Sequence, residues 1–145
     1  MYKRILVPLD GSALAKRALD EAEKLAKFFS AEIILFQVVP FMPIYGSPEL
    51  VTPFIVDEKQ KESAERYLFT LAEELKKREF KVTTMVRTGQ QVALEIIDYA
   101  KESGTDLIVM CTHGRSGITR WMLGSVAQKV LSRSETPVLL IRSKG

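Results

Sequence analysis

The sequence predicts an α/β domain built on a doubly wound, Rossmann-like five-stranded parallel sheet with four helices. Three observations lead there. Short apolar runs alternate with segments of helical periodicity along the chain. The strand-like runs carry adjacent rather than alternating apolar residues, the pattern of a strand covered on both faces. Each run is separated from the next by a helix, the crossover that parallel neighbours require. At 145 residues the expectation is one domain spanning 1–145, large enough to bury roughly 70% of its unfolded surface. Hydrophobic residues at 46% and charged residues at 27% set aside disordered, collagenous and disulfide-scaffold classes.

Residues 4–9, RILVPL, read as the first strand, and Asp-Gly-Ser follows. Ser12 is the expected N-cap of a helix whose stripe is Leu14, Ala18, Ala22, Leu25, Ala26 and Phe29. Residues 32–39, EIILFQVV, form the second strand. Five prolines and glycines then break the rhythm across 40–56, where Phe41, Met42, Ile44, Tyr45 and Phe54 make the segment too apolar for a free linker. It reads as a long loop laid over the domain or against a partner. A charged helix runs from Asp57 or Glu58 to about Arg78, with Ala64, Leu68, Leu71, Ala72 and Leu75 inward. Residues 80–88 are the third strand, and Val92, Ile96, Ile97 and Ala100 mark the next helix. Residues 106–111 are the fourth strand. Leu123, Val126, Ala127, Val130 and Leu131 fit a helix, and Pro137 opens the last strand, VLLI.

Periodicity leaves the strand order open. In a doubly wound sheet whose chain reverses after the third strand, the order is 3-2-1-4-5 and strands one and four are neighbours. Their carboxyl ends then flank the crevice where such sheets bind ligands. Those ends carry Asp10 and Cys111-Thr-His-Gly114.

One cysteine makes no internal disulfide, and no charged-then-apolar leader precedes Ile5, so a cytoplasmic location is expected. Charged residues interrupt every long apolar segment, so no membrane span is expected. A net charge of +3 is too small to indicate nucleic acid. Four of the 21 basic residues, Arg115, Arg120, Lys129 and Arg133, fall in 107–134, which holds no acid; the rest of the chain has 17 basic and 18 acidic residues. An anion is the guest such a segment suits.

The segment CTHGRSGITRWMLGS, residues 111–125, carries the chemistry. Gly114 and Gly117 allow close backbone approach, and Gly124-Ser125 opens a helix whose N-terminal N–H groups suit phosphate oxygens. The bland reading is a glycine turn with Ser125 as a cap. The chain lacks G-x-x-x-x-G-K-[ST], G-x-G-x-x-G after the first strand, and G-x-S-x-G, which excludes P-loop, dinucleotide and α/β-hydrolase motifs. Strand three ends in Arg87-Thr88-Gly89, without the acid a receiver domain needs. Cys111 reads as a buried small hydrophobe. His113 reads as a hydrogen-bonding loop residue, and Trp121 as packing for that loop or a partner contact. Two partners are missing for a Cys111–His113 metal site. Asp10 is read as a ligand residue more than as a competitor of Ser12 for the cap, and could hold Mg²⁺ through water.

The chain resembles the universal stress protein family over nearly its whole length: ILVPLDGS at 5–12, LFQVV at 35–39, the glycine segment, and SETPVLLIR at 134–142. The nucleotide-binding branch of that family has G-x2-G-x9-G-[ST]. Here Gly114, Gly124 and Ser125 match, and Cys111 stands where the first glycine is expected. The resemblance implies ATP (or AMP/ADP) with Mg²⁺ or Mn²⁺ on its phosphates. Pro8 and Asp10 would lie beside the nucleoside, Asp10 accepting from ribose hydroxyls. Val38 would offer backbone groups to adenine, and Gly114, Gly124, Ser125 and Val126 would surround the phosphates with Arg115 holding them. The leading expectation is an ATP-binding regulatory module in stress response, with hydrolysis slow or partner-dependent. A nucleotide-free dimeric scaffold and a true nucleotide hydrolase are the alternatives. The apolar run Val138–Ile141 after Pro137 suits an edge strand that pairs with its copy in a homodimer, and the resemblance implies the same dimer. A protein partner is expected without being identified.

Overall fold

The structure, a computed structural model, describes residues 1–43, 54–55, 57–113 and 123–142. In chain order these form β1 (Arg4–Pro8), α1 (Ala13–Phe29), β2 (Glu32–Pro40), β3 (Met42–Pro43), β4 (Phe54–Ile55), α2 (Glu58–Lys77), β5 (Val82–Gly89), α3 (Val92–Glu102), β6 (Leu107–Cys111), α4 (Ser125–Arg133) and β7 (Val138–Ile141). The main sheet is parallel, in the order β5-β2-β1-β6-β7. Counted among its own five strands this is 3-2-1-4-5, as expected.

Alternate side chains of each strand enter opposite cores. Ile5, Val7, Ile33, Leu35 and Val109 pack under α1 and α2. Leu6, Ile34, Phe36, Ile108 and Met110 pack under α3 and α4. Both faces are therefore dry, which is why the strands read as unbroken apolar runs.

The capping residues explain where the helices begin. The Ser12 hydroxyl accepts from Ala15 N at 3.1 Å, and the Asp57 carboxylate accepts from Lys59 and Gln60 N at 3.0 and 3.2 Å. The α2 stripe is buried as expected. The α1 seam differs: Ala15, Ala18, Leu19, Ala22 and Ala26 are buried, while Leu14 is only half-buried and Leu25 and Phe29 pack at the margin. Four alanines let the helix axis lie close to the sheet, so the larger side chains are displaced to its flanks. In α3 the buried residues are Ala93, Ile96 and Ala100, with Val92 and Ile97 packed partly against them. In α4 only Ala127 and Val130 are buried; Leu123 and Leu131, expected inward, are 38% and 49% exposed. This helix covers the short β7 end of the sheet, and nine residues there present a single narrow seam.

The 40–56 segment also departs from a simple loop. β2 continues to Pro40, and Met42–Pro43 then pairs antiparallel with Phe54–Ile55. Residues 44–53 lie outside the described residues.

One asymmetry of the sheet positions the site. β1 ends with Pro8 opposite Phe36, whereas β2 runs on beside β5 to Pro40. Leu9 N donates to Phe36 O, and Ile33 N donates to Lys81 O on the other side. Because backbone groups alternate sides along a strand, those of Val38 point to the side where β1 has ended.

Candidate functional site

β1 and β6 are neighbours at the centre of the sheet, and the helices that follow them leave to opposite faces. That divergence opens a crevice beyond their carboxyl ends. A cavity of about 320 Å³ lies there, lined by Pro8 at the end of β1 and Asp10 beyond it, Cys111 at the end of β6 and His113 beyond it, and Gly124, Ser125 and Val126 at the start of α4.

Asp10 sits at the mouth because of its turn. Gly11 takes φ 83°, which glycine tolerates without strain, and Asp10 Oδ1 accepts from Ser12 N at 2.9 Å. Ser12 alone caps α1, so Asp10 is a turn-fixed carboxylate bordering the crevice.

Gly124 is required for a reason other than torsion. Its φ of −61° and ψ of 152° suit any residue. Its N donates to Thr112 O at 2.7 Å, and a Cβ would stand 2.9 Å from that same oxygen and 3.5 Å from His113 Cα. The space a side chain would occupy is filled by backbone. As cap, Gly124 brings no side-chain oxygen to α4, and helix geometry leaves the first-turn N–H groups without intrahelical acceptors. Ser125, Val126 and Ala127 of that turn all line the cavity.

Cys111 continues β6 as a strand residue, 7% exposed. Its thiol donates to Leu14 O at 2.7 Å. Burial, the largest influence, pushes the thiol pKa up, which makes it a packing group against α1 rather than a nucleophile. His113 is 7% exposed, with Nδ1 3.1 Å from Thr112 Oγ1.

Val38 belongs to a second, adjoining cleft of about 540 Å³. The two clefts share Leu9, Asp10 and Val92, so Asp10 forms part of the wall between them. The expected site residues thus come together in two compartments: Pro8, Cys111, Gly124, Ser125 and Val126 on one side, Val38 on the other, Asp10 common to both. Gly114, Arg115, Gly117, Arg120 and Trp121 lie outside the described residues.

A family model, described as the universal stress protein family, matches residues 1–142. The chain belongs to the universal stress protein family. It is 35% identical over 150 residues to universal stress protein YxiE of Bacillus subtilis, covering 98% of this chain and 100% of that one. It is 34% identical over 142 residues to universal stress protein MJ0531 of Methanocaldococcus jannaschii, covering 98% and 83%. The solved structure of MJ0577, from the same archaeon, superposes with a TM-score of 0.82 at 27% identity, covering 100% and 99%.

Of the four cations in the 107–134 segment, Lys129 and Arg133 are among the described residues, and neither lines the crevice. Lys129 Nζ donates to Gln91 Oε1 at 3.0 Å, tying α4 to the start of α3. Arg133 is in the last turn of α4, about 12 Å along the axis from its first residue at the usual helical rise, where it complements the carbonyl end. Among the described residues no group of three or more His, Cys, Asp or Glu could hold a metal, and no helix is long and apolar enough to cross a membrane.

Gln37, Ser63 and Tyr67 line the second cleft and Val92 lines both; all four escaped the sequence reading as site residues. Gln37 did leave a signal, as a lone amide inside an apolar strand. Tyr67 left none, since it stands at the flank of a charged helix. Burial raises the Tyr67 pKa, and the Asp10 carboxylate raises it further.

Proposed function

We propose that this universal stress protein binds an adenine nucleotide, ATP or its mono- or diphosphate, with Mg²⁺ or Mn²⁺ held on the phosphates, and works as a nucleotide-responsive module in stress response. The observation that carries the reading is the first turn of α4, which lacks a side-chain cap and lines the cavity at the β1–β6 fork. Such a turn offers N–H donors and the positive end of the helix dipole to an anion. In this reading Ser125 and Val126 donate to phosphate oxygens, Gly124 sets the turn in place, and Gly114 and Arg115 complete the phosphate contacts. Asp10 accepts from ribose hydroxyls beside Pro8, Cys111 closes the wall, and Val38 meets the adenine edge with its backbone. The buried, hydrogen-bonded setting of His113 favours a binding role over rapid hydrolysis.

Protein purified without added nucleotide should release an adenine nucleotide on denaturation, or, if it is purified empty, should bind ATP with Mg²⁺ in calorimetry. Neither retained nucleotide nor saturable heat would sink the reading.

The proposal includes a homodimer through Val138–Ile141. β7 is at the edge of the sheet, and its Leu139 is 38% exposed, an arrangement that pairing across a twofold axis would bury. Light scattering at micromolar concentration should give about twice the 16.4 kDa chain mass. A monomeric mass would contradict it.

A further inference from the structure

The sheet has two edges, and they differ. β7 offers the four residues Val138–Ile141, while β5 runs for eight, Val82–Gly89. Its register against β2 is unbroken from Ile33↔Val82 to Pro40↔Gly89, without a bulge. Ile33 N donates to Lys81 O, so the odd-numbered residues of β5 turn their backbone groups to β2, and Val82, Thr84, Val86 and Thr88 turn theirs outward. Those outward N–H and C=O groups, spread over about 20 Å at the usual strand rise, meet no backbone partner among the described residues. Native edges are commonly blunted by lysine, proline or a bulge, and VTTMVRTG has none of the three. Its one charge is turned inward: Arg87 is tied to Glu95 and Glu102 of α3 and lies over Tyr99.

The flank of α2 beside this edge defines the guest. α2 packs against β2 and β5. Ser63 and Tyr67 border the cleft they share with Asp10, and Arg78 just past the helix reaches Glu23 of α1, so that side of α2 is turned to α1. Glu62, Glu65 and Phe69 stand at helical spacing on the other side of the buried Ala64, Leu68 and Leu75 stripe, toward the β5 edge. Phe69 is 64% exposed and shares a surface depression with both carboxylates. Neither carboxylate is in an ion pair among the described residues, and Lys76, lower on the same flank, is paired with Glu73. Arg66 is the one cation bordering the depression. An apolar residue among acids suits a partner that brings apolar and basic side chains. A second copy of this chain does not: two β5 edges paired about a twofold axis would set like-charged α2 flanks against each other, and combined with pairing through β7 would give an open ribbon instead of a closed dimer.

We propose that β5 is a strand-addition site: an extended segment of a partner protein pairs its backbone with the outward groups of Val82, Thr84, Val86 and Thr88, and the basic and apolar side chains on one of its faces meet Glu62, Glu65 and Phe69. Main-chain hydrogen bonds supply the affinity and the α2 flank supplies the selection.

The test is amide hydrogen exchange of the full chain by NMR, alone and with the capped peptide TKTVTKT. In the free chain the Thr84, Val86 and Thr88 amides should exchange fast while those of Thr83, Met85 and Arg87 are protected by the ladder. With peptide the outward three should slow by about tenfold or more, the effect of one added hydrogen bond each. TETVTET should not slow them, and Glu62→Lys combined with Glu65→Lys should reverse that preference. Thr84→Pro deletes one outward donor, a change that an edge strand tolerates, and should weaken the peptide by about tenfold. If that variant does not fold, TKTVTKT methylated on every backbone nitrogen tests the same bonds from the peptide's side and should not bind. Outward amides already protected in the dilute free chain overturn the proposal, as does protection that grows with protein concentration, which would make the occupant a second copy. Equal binding of the methylated peptide would reduce the effect to charge alone and overturn it too, and so would the absence of any slowing by TKTVTKT.

Discussion

Gly124→Val should lower stability by about 1–3 kcal/mol, the usual range for forcing atoms into filled space, and weaken nucleotide binding without the new side chain touching the ligand. The Cβ alone would meet Thr112 O at 2.9 Å, so Gly124→Ala should already show most of the loss. Relief requires either Thr112 or the α4 terminus to move, and that movement breaks the Gly124 N to Thr112 O bond and re-aims the first-turn donors. In a chain of this size each kcal/mol appears as about 4 °C in the melting midpoint. Ser125→Ala is the contrast. Its side chain is exposed and the cap position is Gly124, so stability should change by about 0.5 kcal/mol or less, and any affinity loss reports a hydroxyl contact. A neutral Gly124→Ala beside a damaging Gly124→Val would mean that bulk in the cleft, and not the backbone approach, limits this position.

Phe36→Ala should be more damaging, at about 3–5 kcal/mol. Phe36 is fully buried and stacks on Tyr99 with centroids 4.9 Å apart and planes 7° from parallel. The Arg87 guanidinium lies 4.9 Å from the other ring's centroid, over Tyr99, and is tied to Glu102 and Glu95. Truncation leaves Tyr99 without its stacking partner and loosens α3, whose Val92 walls both clefts. Urea unfolding should show the lower midpoint, and calorimetry a weaker ligand. Phe36→Leu, which keeps most of the volume, should cost less than half as much; equal losses would argue that ring stacking rather than filled space governs this site.

The elements were legible because their causes are local. The Ser12 cap, the α2 stripe and the apolar strand runs each follow from spacing, and the strand order follows from the doubly wound pattern. Residues whose environment is set by distant packing were less legible. Leu131 fits the helical template as well as Val130 does; only the narrow β7 end of the sheet leaves it outside. Lys129 and Arg133 share a cationic segment with Arg115 in sequence, but the rise of a helix carries Arg133 away from the crevice, and Gln91 engages Lys129. Gly124 was legible as a residue to keep, though the atom it makes room for, Thr112 O, is a matter of tertiary structure. Gln37 and Tyr67 border one cleft because β2 outruns β1 and α2 packs against β2.

The peptide groups of Thr112 have a consequence for how this family member can drift. Thr112 O accepts from Gly124 N, and Thr112 N donates to Ile141 O at 3.0 Å, so one residue joins the head of α4 to the last position of the edge strand. Both bonds are main chain to main chain. Side chains at 112 and 141 can be exchanged without cutting them, while a proline at 112 or any Cβ at 124 strikes directly. The cleft and the sheet edge are thus wired together by atoms that nearly every amino acid carries, a connection that substitution erodes slowly.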